Sequence, residues 1–454
     1  MENTKAPLSL GTDNTGKLLM QYAIPAIIAM TAASLYNITD SIFIGHGVGS
    51  LALSGLAITF PLMNLAAAVG TLTGIGCSTL LSMRLGQKDY ESANNILGNV
   101  ITLNIILGLA FSILMLIFLD PILYFFGAST ETLNYAHDFM VIILCGNVVT
   151  HMYFGLNALL RSAGSPQKSM YATIYAVLIN LVLNPLFIFG FKWGIQGSAL
   201  ATVISQIIVL IWQINIFRNK NYFIHLKKGI YRLRKNIVMD SLAIGLSPFL
   251  MNAAACVIVT LINHALIKYG GDLAVGAYGI INRVAFLFVM VALGITQGMQ
   301  PIIGYNYGAG LQHRVLEVLK KSIFWATVTM VVGTVIVEIF PLTVASIFTN
   351  DRNLTDIAAV GLRIIFISYP LVGFQIVVSN FFQSIGMARK SIFLSLTRQV
   401  LLLIPCLLIL PPIMGTMGVW ISMPMSDFIS IIMASIMLVN QLRKFKKRES
   451  SSNR

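Results

Sequence analysis

Few residues in this chain have side chains able to do chemistry in the setting where they occur. Asp40 lies toward the far end of an apolar run that begins near residue 17, and Asn37 stands about one helical turn before it, on roughly the same face. An acid at the centre of a membrane helix costs about 2.5–3.5 kcal/mol on insertion scales, less toward an interface. Its retention points to a bound cation or proton; an interfacial aspartate solvated by headgroups is the plainer alternative. Asn180 and Asn184 stand at i, i+4, so both amides project from one face. Pro185 follows and frees a backbone carbonyl one turn earlier. These oxygens can hold a cation, or they can tie helix to helix by hydrogen bonds. Asp427 sits near the middle of the last apolar run. Facing a cavity unpaired, it would take a proton or a cationic compound. Paired with Arg283 or Arg398, which lie in the same half, it would be structural. Tyr36, Met152, Tyr153, Gln297, Gln300 and Gln375 are expected to line a cavity, although most methionines and aromatics in such a chain face lipid or neighbouring helices.

The elements that must position these residues follow from composition. Of 454 residues, 57% are hydrophobic and 10% charged, with a mean hydropathy of +0.82. A soluble chain carries roughly a quarter charged residues. The apolar residues arrive in blocks of about 20 or more, the length of a membrane-crossing helix, and not in the alternating segments of a β-barrel. The blocks predict spans at 17–44, 51–81, 92–119, 132–160, 167–190, 194–217, 237–267, 273–305, 315–341, 353–386, 390–410 and 413–441. No cleavable leader is expected, because the first sixteen residues are polar and the run after them is too long. Of the 30 Lys and Arg, 24 fall in one alternating set of connections and three in the other; Arg283, Arg363 and Arg398 fall inside spans. This asymmetry places both termini in the cytoplasm. It also accounts for the net charge of +14 without nucleic acid, since the basic residues are spread over short loops.

An internal repeat appears at an offset of about 222. Ser162, Gly164, Lys168 and Ser169 recur at Ser384, Gly386, Lys390 and Ser391; Gly194 and Gly197 recur at Gly415 and Gly418; Gly86 falls opposite Gly308. Six spans per unit put both units in the same orientation, with a pseudo-twofold axis along the membrane normal. The organisation read from this is a six-helix lobe over 1–217, a basic linker over 218–236, a second lobe over 237–441 and a basic tail over 442–454. Enzyme signatures are missing: there is no Walker A sequence, no H-E-x-x-H and no G-x-S-x-G. The four cysteines stand singly in apolar blocks, and the six histidines lack ligand spacing.

Several segments, taken in order, resemble the multidrug and toxic compound extrusion (MATE) transporters over essentially the whole chain. They are Ile24–Pro25; Asn37 to Gly45; Arg84–Leu85–Gly86–Gln87–Lys88–Asp89; Arg161–Ser162–Ala163–Gly164; Asn180 through Asn184–Pro185; and Gly194 to Thr202. The resemblance implies an all-α membrane protein that exports organic, often cationic, compounds in exchange for Na+ or H+. It implies no organic cofactor, a V-shaped cavity between two lobes and a cation site in the N-terminal lobe. Asp40 matches the family's first-helix carboxylate and Thr202 a family ligand position, so the implied site is Asp40, Asn180, Asn184 and Thr202. Many relatives carry a carboxylate where this chain has Asn184, which leaves the site with one negative charge. The repeat suits function within a single chain, so a monomer is expected. The alternative is a flippase for lipid-linked saccharides, in which Arg283, Arg363 and Arg398 would hold a diphosphate.

Overall fold

The computed structural model describes residues 6–452; Lys5, and the end of the basic tail at Arg454, lie outside them. All regular structure among the described residues is helical. A short helix, Ala6–Thr12, precedes the first span, Thr15–Gly47, whose N-terminus is capped by the Asn14 side chain accepting from the Gly16 and Lys17 amides. Spans two to six are Ser50–Gly86, Tyr90–Ile117, Leu133–Ser162, Pro166–Gly190 and Gly194–Arg218. In the second half, an unbroken Lys235–Gly308 helix would be about 111 Å long at 1.5 Å per residue, against a hydrocarbon core of about 30 Å. The chain leaves helical geometry at Gly271, whose φ of 68° and ψ of −168° suit a residue without Cβ, and turns back there, making spans seven and eight. Span nine is Gln312–Ile339. Span ten is Arg352–Phe366 plus Tyr369–Ser384, bent by 52° just before Pro370. Span eleven, Ala388–Met414, contains a π-helical segment at Thr397–Leu403, and span twelve lies within Thr416–Ser452. Among the described residues this makes twelve spans, as the sequence predicts.

The repeat is visible in the backbone. Positive-φ residues fall in pairs 222 apart: Gly49 with Gly271, Lys88 with Gly310, Gly164 with Gly386. A short helix follows the third span, Leu119–Phe125, and another follows the ninth, Pro341–Ser346. The halves meet along a seam of small residues at the end of the bundle that carries the basic loops. A Cβ on Gly86 would lie 2.0 Å from the carbonyl oxygen of Tyr305, and one on Gly308 would lie 2.1 Å from that of Met83. Residues 83 and 305, like 86 and 308, are 222 apart, so spans two and eight cross on the pseudo-twofold axis and make the same contact twice. Gly76 against Gly245, and Gly298 against Ala23, repeat the pattern higher up. Close approach of this kind takes the place of the hydrophobic effect between helices in lipid.

Each half also sends its leading segment across to the other at the basic end. Before span one, Leu10 is fully buried; Asn306 Nδ2 donates to its carbonyl at 2.9 Å, and Lys321 Nζ donates to Thr15 Oγ1 at 2.8 Å. Before span seven, Asn99 Nδ2 donates to the Arg232 carbonyl at 3.0 Å, and its Oδ1 accepts from the Arg234 amide at 2.9 Å. Lys321 and Asn99 are themselves 222 apart. The basic end is therefore closed, and a cavity between the lobes lies above it.

Candidate functional site

That cavity, of about 400 Å³, is walled by spans one, two, four, five and six of the first half and faced by Phe286, Met290 and Gln297 of span eight. At and behind its wall stand two hydrogen-bonded groups of polar side chains, one turn apart along span five. At Pro185, which has no N–H to return to the turn before, the α-helix of span five gives way to the π-helical Leu186–Gly190. This leaves Asn180 and Asn184 stacked on the face toward spans one and six. Asn184 Nδ2 donates to Asp40 Oδ1, and Ser198 Oγ donates to the same oxygen at 2.5 Å. Asn180 Nδ2 donates to Thr202 Oγ1 at 3.2 Å, and the Tyr36 hydroxyl lies 2.7 Å from Thr202 Oγ1. Asp40 is 8% exposed, and both asparagines are more deeply buried.

The accounting of hydrogen bonds in this cluster is informative. A carboxylate only accepts, so an ionised Asp40 fixes the Asn184 amide with its nitrogen toward Asp40 and its oxygen away. Asn180 presents its nitrogen to Thr202, a hydroxyl that can accept or donate. The oxygens Asn180 Oδ1 and Asn184 Oδ1 are then buried with no hydrogen-bond partner. A buried acceptor left unpaired costs roughly 1–3 kcal/mol, and two arise here on one helix face beside a carboxylate. Carboxylate, two amide oxygens and a hydroxyl are hard donors suited to Na+. The carboxylate alone can take a proton.

The structure thus joins all four residues expected to bind the coupling ion, and Ser198, which the sequence reading omits. Ser198 sits in the first turn of span six, one turn before Thr202. Tyr36, Asn37, Tyr153 and Gln297 line the cavity as expected. Met152 is buried in packing instead, because adjacent helical residues face about 100° apart. Gln300 donates to Thr79 Oγ1 across the seam, and Gln375 Nε2 lies 3.4 Å from the Leu394 carbonyl. Arg283 and Arg363 are exposed and are not part of the cavity lining; Arg283 shares a face of span eight with Phe286, Met290 and Gln297 and lies one turn beyond Phe286.

In the second half, Asp427 is 6% exposed and paired. Arg398 Nε donates to Asp427 Oδ1 at 2.7 Å, and Ser368, at the bend of span ten, donates to Oδ2 at 2.8 Å. Arg398 lies in the π-helical segment Thr397–Leu403. Of the two readings left open for Asp427, the geometry is that of the ion pair. A further buried group has no counterpart in the sequence reading: His151, whose Nε2 donates to the Ala66 carbonyl at 2.8 Å, leaving Nδ1 buried as an acceptor. It packs near Asn104, which accepts from Thr73.

Comparison with known proteins agrees with this arrangement. The sequence profile of the MatE family matches residues 25–186 and again 248–408, two stretches whose starts lie 223 apart and whose ends lie 222 apart. The multidrug export protein MepA of Staphylococcus haemolyticus (strain JCSC1435) is 28% identical over 427 residues, covering 94% of each chain. Among solved structures, the MATE multidrug transporter DinF-BH is 33% identical, covers 95% of this chain and is covered to 96%, with a TM-score of 0.88. A MATE crystal structure in the bent conformation has a TM-score of 0.93 at 24% identity, covering 99% of this chain and all of its own. The chain belongs to the MatE, or multidrug and toxic compound extrusion, family.

Proposed function

We propose that this protein is a secondary active antiporter that exports small organic compounds in exchange for Na+ or H+, by alternating access between its two lobes. The observation that carries the reading is the pair of orphaned oxygens, Asn180 Oδ1 and Asn184 Oδ1, beside Asp40 and Thr202, in a cluster that reaches the cavity between the lobes through Asn180 and Thr202. A site of one carboxylate and neutral oxygens favours a single monovalent charge, and it touches the cavity through Tyr36, Asn180 and Thr202. Lobes over 1–217 and 237–441, with 218–236 as the cytoplasmic connection, are the moving bodies. The Lys and Arg asymmetry supports a cell-membrane location with both termini cytoplasmic. Six spans per lobe leave the function within a monomer. Relatives named as multidrug exporters support small-molecule cargo. The expectation of cationic cargo rests on family resemblance, and the cavity lining adds no carboxylate to it. The flippase reading needs cations in the cavity from the second half, but none of Arg283, Arg363 and Arg398 is part of the lining, and Arg398 is held by Asp427.

The test is efflux of the dye rhodamine 6G from pump-deficient cells expressing wild type or Asp40→Asn, with sodium and proton gradients imposed separately. Efflux following one gradient, and lost in the variant, is expected. Efflux that survives Asp40→Asn undiminished would remove Asp40 from coupling. No efflux of this or other dyes from well-expressing cells would sink the export reading.

A further inference from the structure

Among the residues lining the cavity, one carries a formal charge, and it is positive: Arg161. It lies in the last turn of span four, at the deep end of the cavity near the closed seam, with Asn157, Pro166, Ser169 and Thr173 around it. Its guanidinium has five N–H donors. The polar contact it makes is a long one, Nη1 to Ser169 Oγ at 3.5 Å, and among the described residues no carboxylate lies within 4.0 Å of it. Asp40 does not balance it. That carboxyl is buried behind the wall, engaged by Asn184 and Ser198, and is not part of the lining. The Asn157 amide is turned to donate to Thr173 at 3.1 Å, so the groups beside Arg161 supply no second charge. The C-terminal end of span four tolerates a cation there, which explains why Arg161 is stable but not why its donors go unused. Its neighbours in the lining along spans four and five, Ala158 and Met170, are apolar.

We infer that Arg161 is the anchor for an oxyanion, and that the preferred cargo is an amphiphile carrying a carboxylate or comparable anionic group on an apolar body. The inference rests on the export reading above and names the cargo class of the same cavity. A guanidinium grips a carboxylate through two parallel hydrogen bonds, and in a cavity whose other lining residues are uncharged no second charge offsets that attraction. The apolar surface from spans one, five and eight would take the body. A purely cationic compound would meet a repelling charge at the deep end.

The test uses a matched pair of dyes: rhodamine 6G and its free acid, rhodamine 19. Both have the same cationic ring system and differ by an ethyl ester. Binding is measured by fluorescence polarisation on the full-length protein in phosphatidylcholine nanodiscs, for wild type, Arg161→Gln and Arg161→Lys. The free acid is expected to bind wild type about tenfold more tightly than the ester, equivalent to about 1.4 kcal/mol. Arg161→Gln should bring the two dyes to within about twofold while still binding the ester, which shows that the variant is folded; Arg161→Lys should keep part of the preference. Equal or tighter binding of the ester by wild type would overturn the inference while leaving export intact. So would a preference for the acid that Arg161→Gln leaves unchanged. Failure of wild type to bind or export either dye would overturn the export reading and this inference with it. Adding phosphatidylglycerol separates two sources of oxyanion. An unchanged preference supports cargo, whereas its loss assigns Arg161 to a lipid headgroup and refutes cargo recognition.

Discussion

The crossing of spans two and eight makes a quantitative demand that Gly86→Ala tests. The added Cβ would sit 2.0 Å from the Tyr305 carbonyl oxygen and 2.9 Å from the Ala309 nitrogen. Both are backbone atoms, so no side chain can swing away. Restoring an ordinary contact requires the helices to part by more than an ångström at the point that closes the basic end. Overpacking of this kind costs about 1–3 kcal/mol. The helix-propensity gain of Ala over Gly is present whichever way the lobes are tilted and cancels. The closed-seam state should therefore lose about 5- to 150-fold in population relative to a state with the seam open, since 1.4 kcal/mol is a factor of ten. A native reporter is in place. Cys77 is fully buried at the seam, next to Gly76 and against Ser241 of span seven, whereas the other three cysteines are at least partly exposed. With Cys145, Cys256 and Cys406 replaced by serine, maleimide labelling of Cys77 should be slow in the parent and faster by at least fivefold with Gly86→Ala. Gly308→Ala, the pseudo-twofold mate with its clash at 2.1 Å, should do the same, and the double variant should add less than the sum, because parting the helices once relieves both contacts. Gly279→Ala, on span eight with open space around its Cβ, is the control and should change nothing. Equal labelling in parent and Gly86→Ala, or opposite effects of the two mates, would refute the reasoning that this crossing is the closure.

Two further outcomes follow from the polar clusters. Removing one member of the Asp427–Arg398 pair leaves a charge stranded, which costs about 3–5 kcal/mol when both groups are fully buried. Arg398 is 30% exposed on its side chain and Asp427 6%, so Arg398→Gln should lower the thermal midpoint in detergent more than Asp427→Asn, and the double substitution should recover most of the loss. A double variant no better than the worse single would show that the pair is not what holds these helices. Asn184→Asp places a second carboxylate against Asp40, where both cannot be charged without a cation between them. The half-saturating Na+ concentration for export should fall about tenfold and export should become more pH-dependent; an unchanged Na+ dependence would exclude this cluster as a Na+ site, and an unchanged pH dependence as well would exclude it as the ion site.

How far these features are legible in the sequence depends on their range. Spans, their ends and the repeat are written in one dimension, through apolar length, glycine placement and the distribution of Lys and Arg. Asn180 and Asn184 are legible because i, i+4 spacing guarantees a shared face. Asp40 stands out because an acid in an apolar run is costly. Their meeting requires the fold: 144 residues separate Asp40 from Asn184, and Ser198 has no signal beyond a small residue in an opening turn. Arg161 counts with the loop charges in one dimension, since it ends a span; that its side chain reaches into the cavity depends on how spans one, five and eight close around it. The bend before Pro370 is within reach of sequence, but the π-helical segment that turns Arg398 onto Asp427 is not, because it has no composition of its own.

The two halves share a scaffold but not a chemistry. The seam, the positive-φ turns and the crossing lead-in segments all recur at 222, and those are the parts a rocking motion must use on both sides. The polar residues do not recur. Asp40, Asn180 and Asn184 fall opposite Ile262, Leu402 and Cys406, and Arg398 and Ser368 fall opposite Ala176 and Gly146. A symmetric hinge with an ion site in each lobe would tilt equally well under either load. An ion bound, as proposed, among Asp40, Asn180, Asn184 and Thr202 would contact the first lobe alone, so it would bias that lobe's shape, and through Tyr36 and Thr202 the cavity wall, without a compensating change in the other. The second lobe holds its buried acid neutralised by Arg398 and is suited to act as the rigid partner against which the first one moves. On this argument, perturbations at Asp427 should register in stability and those at Asp40 in coupling.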